Sequence, residues 1–378
     1  MGARVGGMAF TAWPVALIAV FGVVASVLDL PIGIDSGVYR SGALAVLHGE
    51  PLYGVLTATP SWSPRLPFTY PPIAAGFFLP LAAVPAQAAW AVLAAASVVA
   101  VRVVVKATWS ASAVPFLAVS TLEPVWRTIG FGQVNLVLMA AVVLDVLVSR
   151  GSRYGGVAIG VAAAIKLTPL VFVLHLLITG RRRDAGRALA TFVGLQALGL
   201  VLLPADSLRY WGSALLEGNH AIGNGWLTNQ SVFGAVQRLS AGADRAPVLS
   251  AVLALCCLVV GAVAARLAHR RGADLAALLI TAFTGLLVSP ISWSHHWVWV
   301  VPLAGLLVRA RHRVAAVALW VVFAGWVATV PLDAASSGSA VLDNGYVLAA
   351  GLGGAIAALG YGRARTRSGG PHPLPDRS

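Results

Sequence analysis

Apolar runs of about twenty residues recur along this 378-residue chain, and they decide most of what it can fold into. A helix that crosses a bilayer needs about 20 such residues and must satisfy every backbone polar group internally. The runs cover roughly 12–30, 86–105, 113–128, 132–149, 155–179, 187–204, 248–268, 273–289, 295–309, 312–330 and 345–361. A shorter one, 71–84, is interrupted by Pro80. Hydrophobic residues make up 58% of the chain and charged ones only 10%. A soluble domain carries about 25% charged residues, so a water-soluble globular fold is excluded, and disorder needs low hydrophobicity. The expectation is an all-α polytopic membrane protein. Its first run, behind Arg4, is longer than a signal-peptide core and reads as an uncleaved anchor.

Charge then orients the runs. The net charge of +13 would suggest a nucleic-acid partner in a soluble domain. Here the basic residues fall in short clusters between apolar runs, and no nucleic-acid partner is expected. The clusters include Arg102 and Lys106, Arg150 and Arg153, Arg181 to Arg183 with Arg187, Arg266 with Arg270 and Arg271, Arg309 to Arg313, and Arg363 to Arg367. Basic loops stay cytoplasmic, which puts both termini inside. Segments 31–70, 205–247, 289–295 and 331–344 then face outward and hold most of the acids. Because Arg153 and Arg181 both lie inside, 155–179 is expected to be a tight hairpin of two short helices with Lys166 near its outer tip. About twelve crossings result, with 71–84 a re-entrant or partial helix on the outer side. One integral domain, 1–361, precedes a basic Pro/Gly-rich tail, 362–378, expected to be disordered in the cytoplasm.

Ionisable groups beside membrane spans are costly and point to function. Asp35 opens a short helix in the first outer loop, whose Val38, Leu44, Ala45 and Leu47 suit an amphipathic interfacial helix. It is either a helix cap or an acid/base. Tyr70 follows a proline-bound strap, Leu66-Pro67-Phe68-Thr69-Tyr70-Pro71-Pro72, which presents it at the surface or simply starts a helix. Gln133 and Asn135, with Arg127 near, are poised for sugar hydroxyls or for helix–helix hydrogen bonds. Lys166 calls for an anion such as phosphate, or a partner such as Asp35 or Glu123. Asn229 and Gln230 lie beside Trp226, and His295 and His296 sit among Trp293, Trp297 and Trp299, which suit an interfacial belt. The histidines suit hydrogen bonding to phosphate or sugar better than a metal, since no ligand set at zinc spacing accompanies them. No nucleotide-binding or serine-nucleophile motif is present.

The strings Asp35…Tyr39…Gly49-Glu-Pro-Leu-Tyr53, Phe68-Thr-Tyr70-Pro-Pro72, Gly132-Gln-Val-Asn135, Ala164-Ile-Lys166-Leu-Thr-Pro169, Asn229-Gln-Ser231 and Ser292-Trp-Ser-His-His296 occur in this order. Together they resemble glycosyltransferase family 87, actinobacterial GT-C-type membrane enzymes that include polyprenol-phosphate-mannose-dependent alpha-1,2-mannosyltransferases of phosphatidylinositol mannosides and lipomannan. The resemblance implies a GT-C-like bundle and transfer of a sugar, with mannose favoured, from a polyprenyl-phosphate donor to a glycolipid acceptor. The reaction would run at the outer face of the plasma membrane with inversion and without nucleotide or metal cofactor. It implies Asp35 as general base. Lys166, His295, His296 and Arg127 would act at the donor phosphate. Tyr39, Tyr70, Gln133, Asn135, Asn229, Gln230 and Trp293 would bind sugar or acceptor. A lipid or sugar transporter is the alternative, and it would carry its functional charges near the bilayer midplane.

Overall fold

A computed structural model describes residues 2–109, 113–217, 226–240, 243–329 and 337–351. Most of the last apolar run, Asp333, the C-terminal arginines and the tail from 362 lie outside the described residues. The regular elements among the described residues are helices: α1 (Gly2–Val27), α2 (Ile34–His48), α3 (Pro72–Ala82), α4 (Ala86–Thr108), α5 (Ala113–Ser120), α6 (Glu123–Phe131), α7 (Asn135–Leu147), α8 (Val157–Ile165) and α9 (Val171–Ile178). These are followed by α10 (Arg182–Leu202), α11 (Pro204–Arg209), α12 (Val232–Leu239), α13 (Ala246–Arg270), α14 (Asp274–Val288), α15 (Val300–Arg309), α16 (Arg313–Thr329) and α17 (Ala340–Asp343). Among the described residues the isolated β-bridge is between Asn229 and Trp293.

Among the described residues three helices, α4, α10 and α13, are long and apolar enough to cross a membrane, and a fourth if the bent pair α6–α7 counts as one span. Large side chains on their outer faces stay uncovered, among them Val99, Val201 and Val260. A surface of that kind belongs in hydrocarbon rather than water, and the chain is a membrane protein. Hydropathy had joined segments that the backbone divides. The run 113–128 is broken at Thr121 and Leu122, because Pro124 suits only the first turn of a helix and so starts α6. The α6–α7 pair bends by 119° at Gly132, whose left-handed φ of 68° closes α6.

The run 155–179 does consist of two short helices, interrupted at Lys166, whose extended backbone ends α8. They pack on α10 rather than on each other, and both feet lie at one end, since Asp145 caps the start of α8 and Arg181, just past α9, binds the Asp145 and Val146 carbonyls. α8 lies parallel to α10, where Gly160 lets the helices meet: a Cβ there would stand 2.5 Å from the Ala188 carbonyl oxygen. α9 packs between α10 and α14. The nine residues of α8 rise about 13.5 Å, under half of the roughly 30 Å hydrocarbon thickness. Lys166 marks the turn between α8 and α9, at the end of α8 away from Asp145.

α7 and α8 define two ends. At one, Asp145 of α7 accepts from Gly156 N (2.6 Å) and Ile159 N (3.1 Å), capping α8 from a neighbouring helix. Arg181 and Arg187 both donate to Asp184 there, and Arg266 reaches the Ile178 carbonyl. Several of the basic loops thus share one end. The opposite end collects the helix interruptions, before α2, before α3, at Gly132, at Lys166 and at 289–299.

Candidate functional site

Interrupted helices leave backbone and side chains free to face a cavity, and the interruptions here converge. Gly33, with φ 79°, starts α2, so Asp35 sits in the first helical turn rather than at the cap. The positive helix end favours a carboxylate there. α2 packs against α3 and α4. It buries a face of small residues, Ser36, Gly37, Ser41, Gly42 and Ala43, with Gly42 pressed against the Phe68 ring.

Four side chains form an oriented relay that ends on Asp35. The Tyr39 hydroxyl donates to Gln133 Oε1 at 2.6 Å. Its single proton being used, it accepts from the Tyr70 hydroxyl at 3.0 Å. The Gln133 amide then donates to the Asp35 carboxylate. Tyr39 is fully buried and stacks on Phe78 at 4.3 Å, so the relay is held rigidly. Tyr53 donates to the Tyr70 carbonyl at 2.7 Å and fixes the proline strap. Burial pushes the Asp35 carboxyl up to about 6, while the Gln133 hydrogen bond and the Lys166 and Arg127 charges pull it down. A carboxylate poised in this way is suited to take a proton near neutrality.

The second half of the site is cationic. Lys166 Nζ donates to Asn135 Oδ1 at 2.9 Å and to His296 Nε2 at 3.1 Å, and lies 5.8 Å from the centre of the Tyr70 ring. Among the described residues it makes no ion pair, and it stays half-exposed at the mouth of a cavity that Asn135 and His296 also line. Glu123, a possible partner for Lys166 on sequence grounds, is engaged elsewhere. It is fully buried and accepts from Ser294 (2.6 Å), Tyr346 (2.9 Å) and Arg127 (3.2 Å).

The two histidines differ. His296 is half-exposed and turned to Lys166. His295 is buried, its ring edge-on to Phe131 and its carbonyl held by Thr128 and Asn135, with no partner for Nε2. Arg127 is drawn to Glu123 and over Phe131. Asn229 and Gln230 are fully buried away from the cavity. Asn229 binds the backbone of Pro290 and Ser292, and Gln230 that of Leu227, Asp343 and Tyr346. Trp293 joins this loop junction, 6.0 Å from Trp226. Asp35, Tyr39, Tyr70, Gln133, Asn135, Lys166 and His296 therefore come together, while Asn229, Gln230 and Trp293 hold the loop that carries the histidines. Sequence reasoning missed Ser294 and Tyr346, which fix that loop through Glu123; a Glu-Pro pair opening a helix inside an apolar stretch was the available hint. Among the described residues no three His, Cys, Asp or Glu side chains group as a metal site.

The profile of glycosyltransferase family 87 matches residues 68–290. A Mycobacterium tuberculosis protein, polyprenol-phosphate-mannose-dependent alpha-(1-2)-phosphatidylinositol mannoside mannosyltransferase, is 36% identical over 75% of this chain and 73% of its own length. Its namesake from Mycolicibacterium smegmatis is 36% identical over 72% of this chain and 69% of its own. A further Mycobacterium tuberculosis relative, named for phosphatidylinositol pentamannoside, is 36% identical over 74% and 67%. No solved structure matches the chain.

Proposed function

The chain belongs to glycosyltransferase family 87, and from that membership we propose that it transfers mannose from a polyprenyl phosphate to a phosphatidylinositol mannoside or related lipoglycan acceptor. The observation that carries the chemistry is a carboxylate poised near neutrality beside a lysine that has only neutral hydrogen-bond partners. Asp35 removes the proton of the acceptor hydroxyl. The resulting oxygen attacks the anomeric carbon from the face opposite the phosphate. The bond from that carbon to the phosphate oxygen breaks, its electron pair leaves with the phosphate, and a beta-linked donor gives an alpha product.

Lys166, with Asn135 and His296, meets the charge that develops on the leaving phosphate, where aligned donors in a dry site lower the barrier most. His296 suits this role better than His295, whose ring faces away toward Phe131. Arg127 adds a more distant positive field, since Glu123 holds it. Tyr70 and Gln133 orient the base and the sugar. The reaction needs no metal on this reading, and EDTA is expected to leave the rate unchanged.

The family and the basic loops support a GT-C-like membrane domain of about twelve crossings, both termini cytoplasmic and the site open to the outer face. A transporter would also use such a pair of charges, and the family membership favours sugar transfer. The test is transfer by the purified protein from a panel of polyprenyl-phosphate sugars to mannolipid acceptors. Asp35→Asn, which keeps the shape and removes the base, is expected to lower the rate by about 10²–10⁴-fold with the fold retained. Full activity in that variant would overturn the assignment.

A further inference from the structure

α10 leaves the basic end at Arg182 and rises about 31 Å over its 21 residues, so the segment that follows it lies at the end where the site is. Gly199, near the close of α10, packs on the start of α3, where a Cβ would stand 3.2 Å from Ile73 Cβ. Pro204 then starts α11, whose first turn holds Asp206, and a π-turn over Tyr210–Ala214 continues it. Two side chains of this segment reach the first outer loop. Asp206 Oδ1 accepts from the Leu52 N–H at 3.0 Å, and the buried Tyr210 ring lies 5.5 Å from that of Tyr53. Leu52 is itself fully buried, so its N–H needs such an acceptor.

Tyr53 is the link onward. Burial, and then the nearby Tyr210 and Asp206, push its phenol well up, so it stays a donor. It holds the Tyr70 carbonyl, and the Tyr70 hydroxyl joins the relay through Tyr39 and Gln133 to Asp35. Asp35 is faced by Gln133 and by the Tyr39 and Tyr70 phenols, with the Lys166 and Arg127 charges acting on it as well. We propose that Asp206 is a positioning residue for transfer: by holding Leu52 and Tyr53 in place it keeps Gln133 directed at the Asp35 carboxylate. Loss of that anchor weakens a hydrogen bond that favours the ionised base. The role rests on the reading of Asp35 as general base given above.

The test is an infrared titration of the Asp35 carboxyl in the purified full chain, its band being the one that Asp35→Asn removes, with transfer kinetics measured alongside. In Asp206→Ala the Asp35 value is expected to rise by about one unit, the weight of one hydrogen bond to a charged group. Transfer at about pH 5 should then fall about tenfold, with the KM for the donor unchanged. Asp206→Asn, which keeps an oxygen acceptor for Leu52, is expected to match the wild type in both readouts. A direct effect of charge would have the opposite sign, because both variants remove a negative charge and would lower the Asp35 value. Tyr53→Phe removes the next link and should act as Asp206→Ala does if that variant fails to fold. The proposal falls if Asp206→Ala leaves the Asp35 value in place or lowers it, or if Asp206→Asn raises it equally. A wild type that transfers no mannose would overturn the transfer reading, while the titration would still decide the positioning role.

Discussion

The two ends of α7 and α8 carry similar residues and use them in opposite ways. At the basic end the buried acids are spent on structure. Asp145 caps α8 through two backbone N–H groups, Asp184 takes Arg181 and Arg187 together, and Arg181 also binds the Val146 carbonyl. At the other end Asp35 has one amide donor and Lys166 two neutral acceptors. Charges held short of partners in a recess are costly to keep, and such sites are where chemistry is found. Saturation therefore separates the two ends better than residue type does. Glu123 is the informative intermediate: it lies close to the site, but its three donors place it with the structural group.

The largest effect expected at the basic end is on stability alone. Asp184→Ala takes the carboxylate from Arg181 and Arg187, which keep carbonyl partners at Val146, Ser152 and Arg153, and the loss of hydrogen bonds to a charged group costs about 1.5–3 kcal/mol. Thermal unfolding in detergent should show that loss, while the transfer rate per folded molecule stays at the wild-type value. The next effect is the mirror image. Lys166→Met is expected to cut the rate by about 10²–10³-fold, the loss found on removing one donor from a charge-stabilising site, with the unfolding temperature nearly unchanged. A Lys166 variant that unfolds early, or an Asp184 variant that is stable and slow, would break the comparison.

How far the sequence could be read follows the same division. Asp35, Tyr70, Lys166 and the histidine pair stood out because a polar group beside an apolar run is rare enough to notice. Asp145 did not, since nothing in a lone acid within a run tells that it caps another helix. Asn229 and Gln230 read as sugar ligands because amides suit both tasks; in the structure their side chains bind backbone at the loop junction. Leu138, Met139 and Val142 are ordinary core residues by composition, and only the structure shows that they line one cavity with Lys166 and His296. The helix break at Leu122 was hidden for a related reason. Hydropathy averages over a window, whereas Pro124 acts at a single bond. Breaks at single residues build this site, so the number of spans was harder to read than the chemistry they enclose.

The smallest expected effect distinguishes the two ends by electrostatics rather than by loss of function. Asp35 works as a base only when ionised, and its carboxyl sits at about 6. The rate should therefore rise about tenfold per pH unit below that value and level off above it. The Lys166 charge is one of the influences that hold this value down. Removing it in Lys166→Met takes away a favourable interaction with the ionised form, so the acid limb of the residual activity should move to higher pH. Arg181, at the far end and committed to Asp184, has no such influence on Asp35. Arg181→Met should lower stability and leave the limb at about 6. A limb that stays in place when Lys166 is neutralised would mean that base and cation do not share one site, and the separation drawn between the two ends would fail at its functional side.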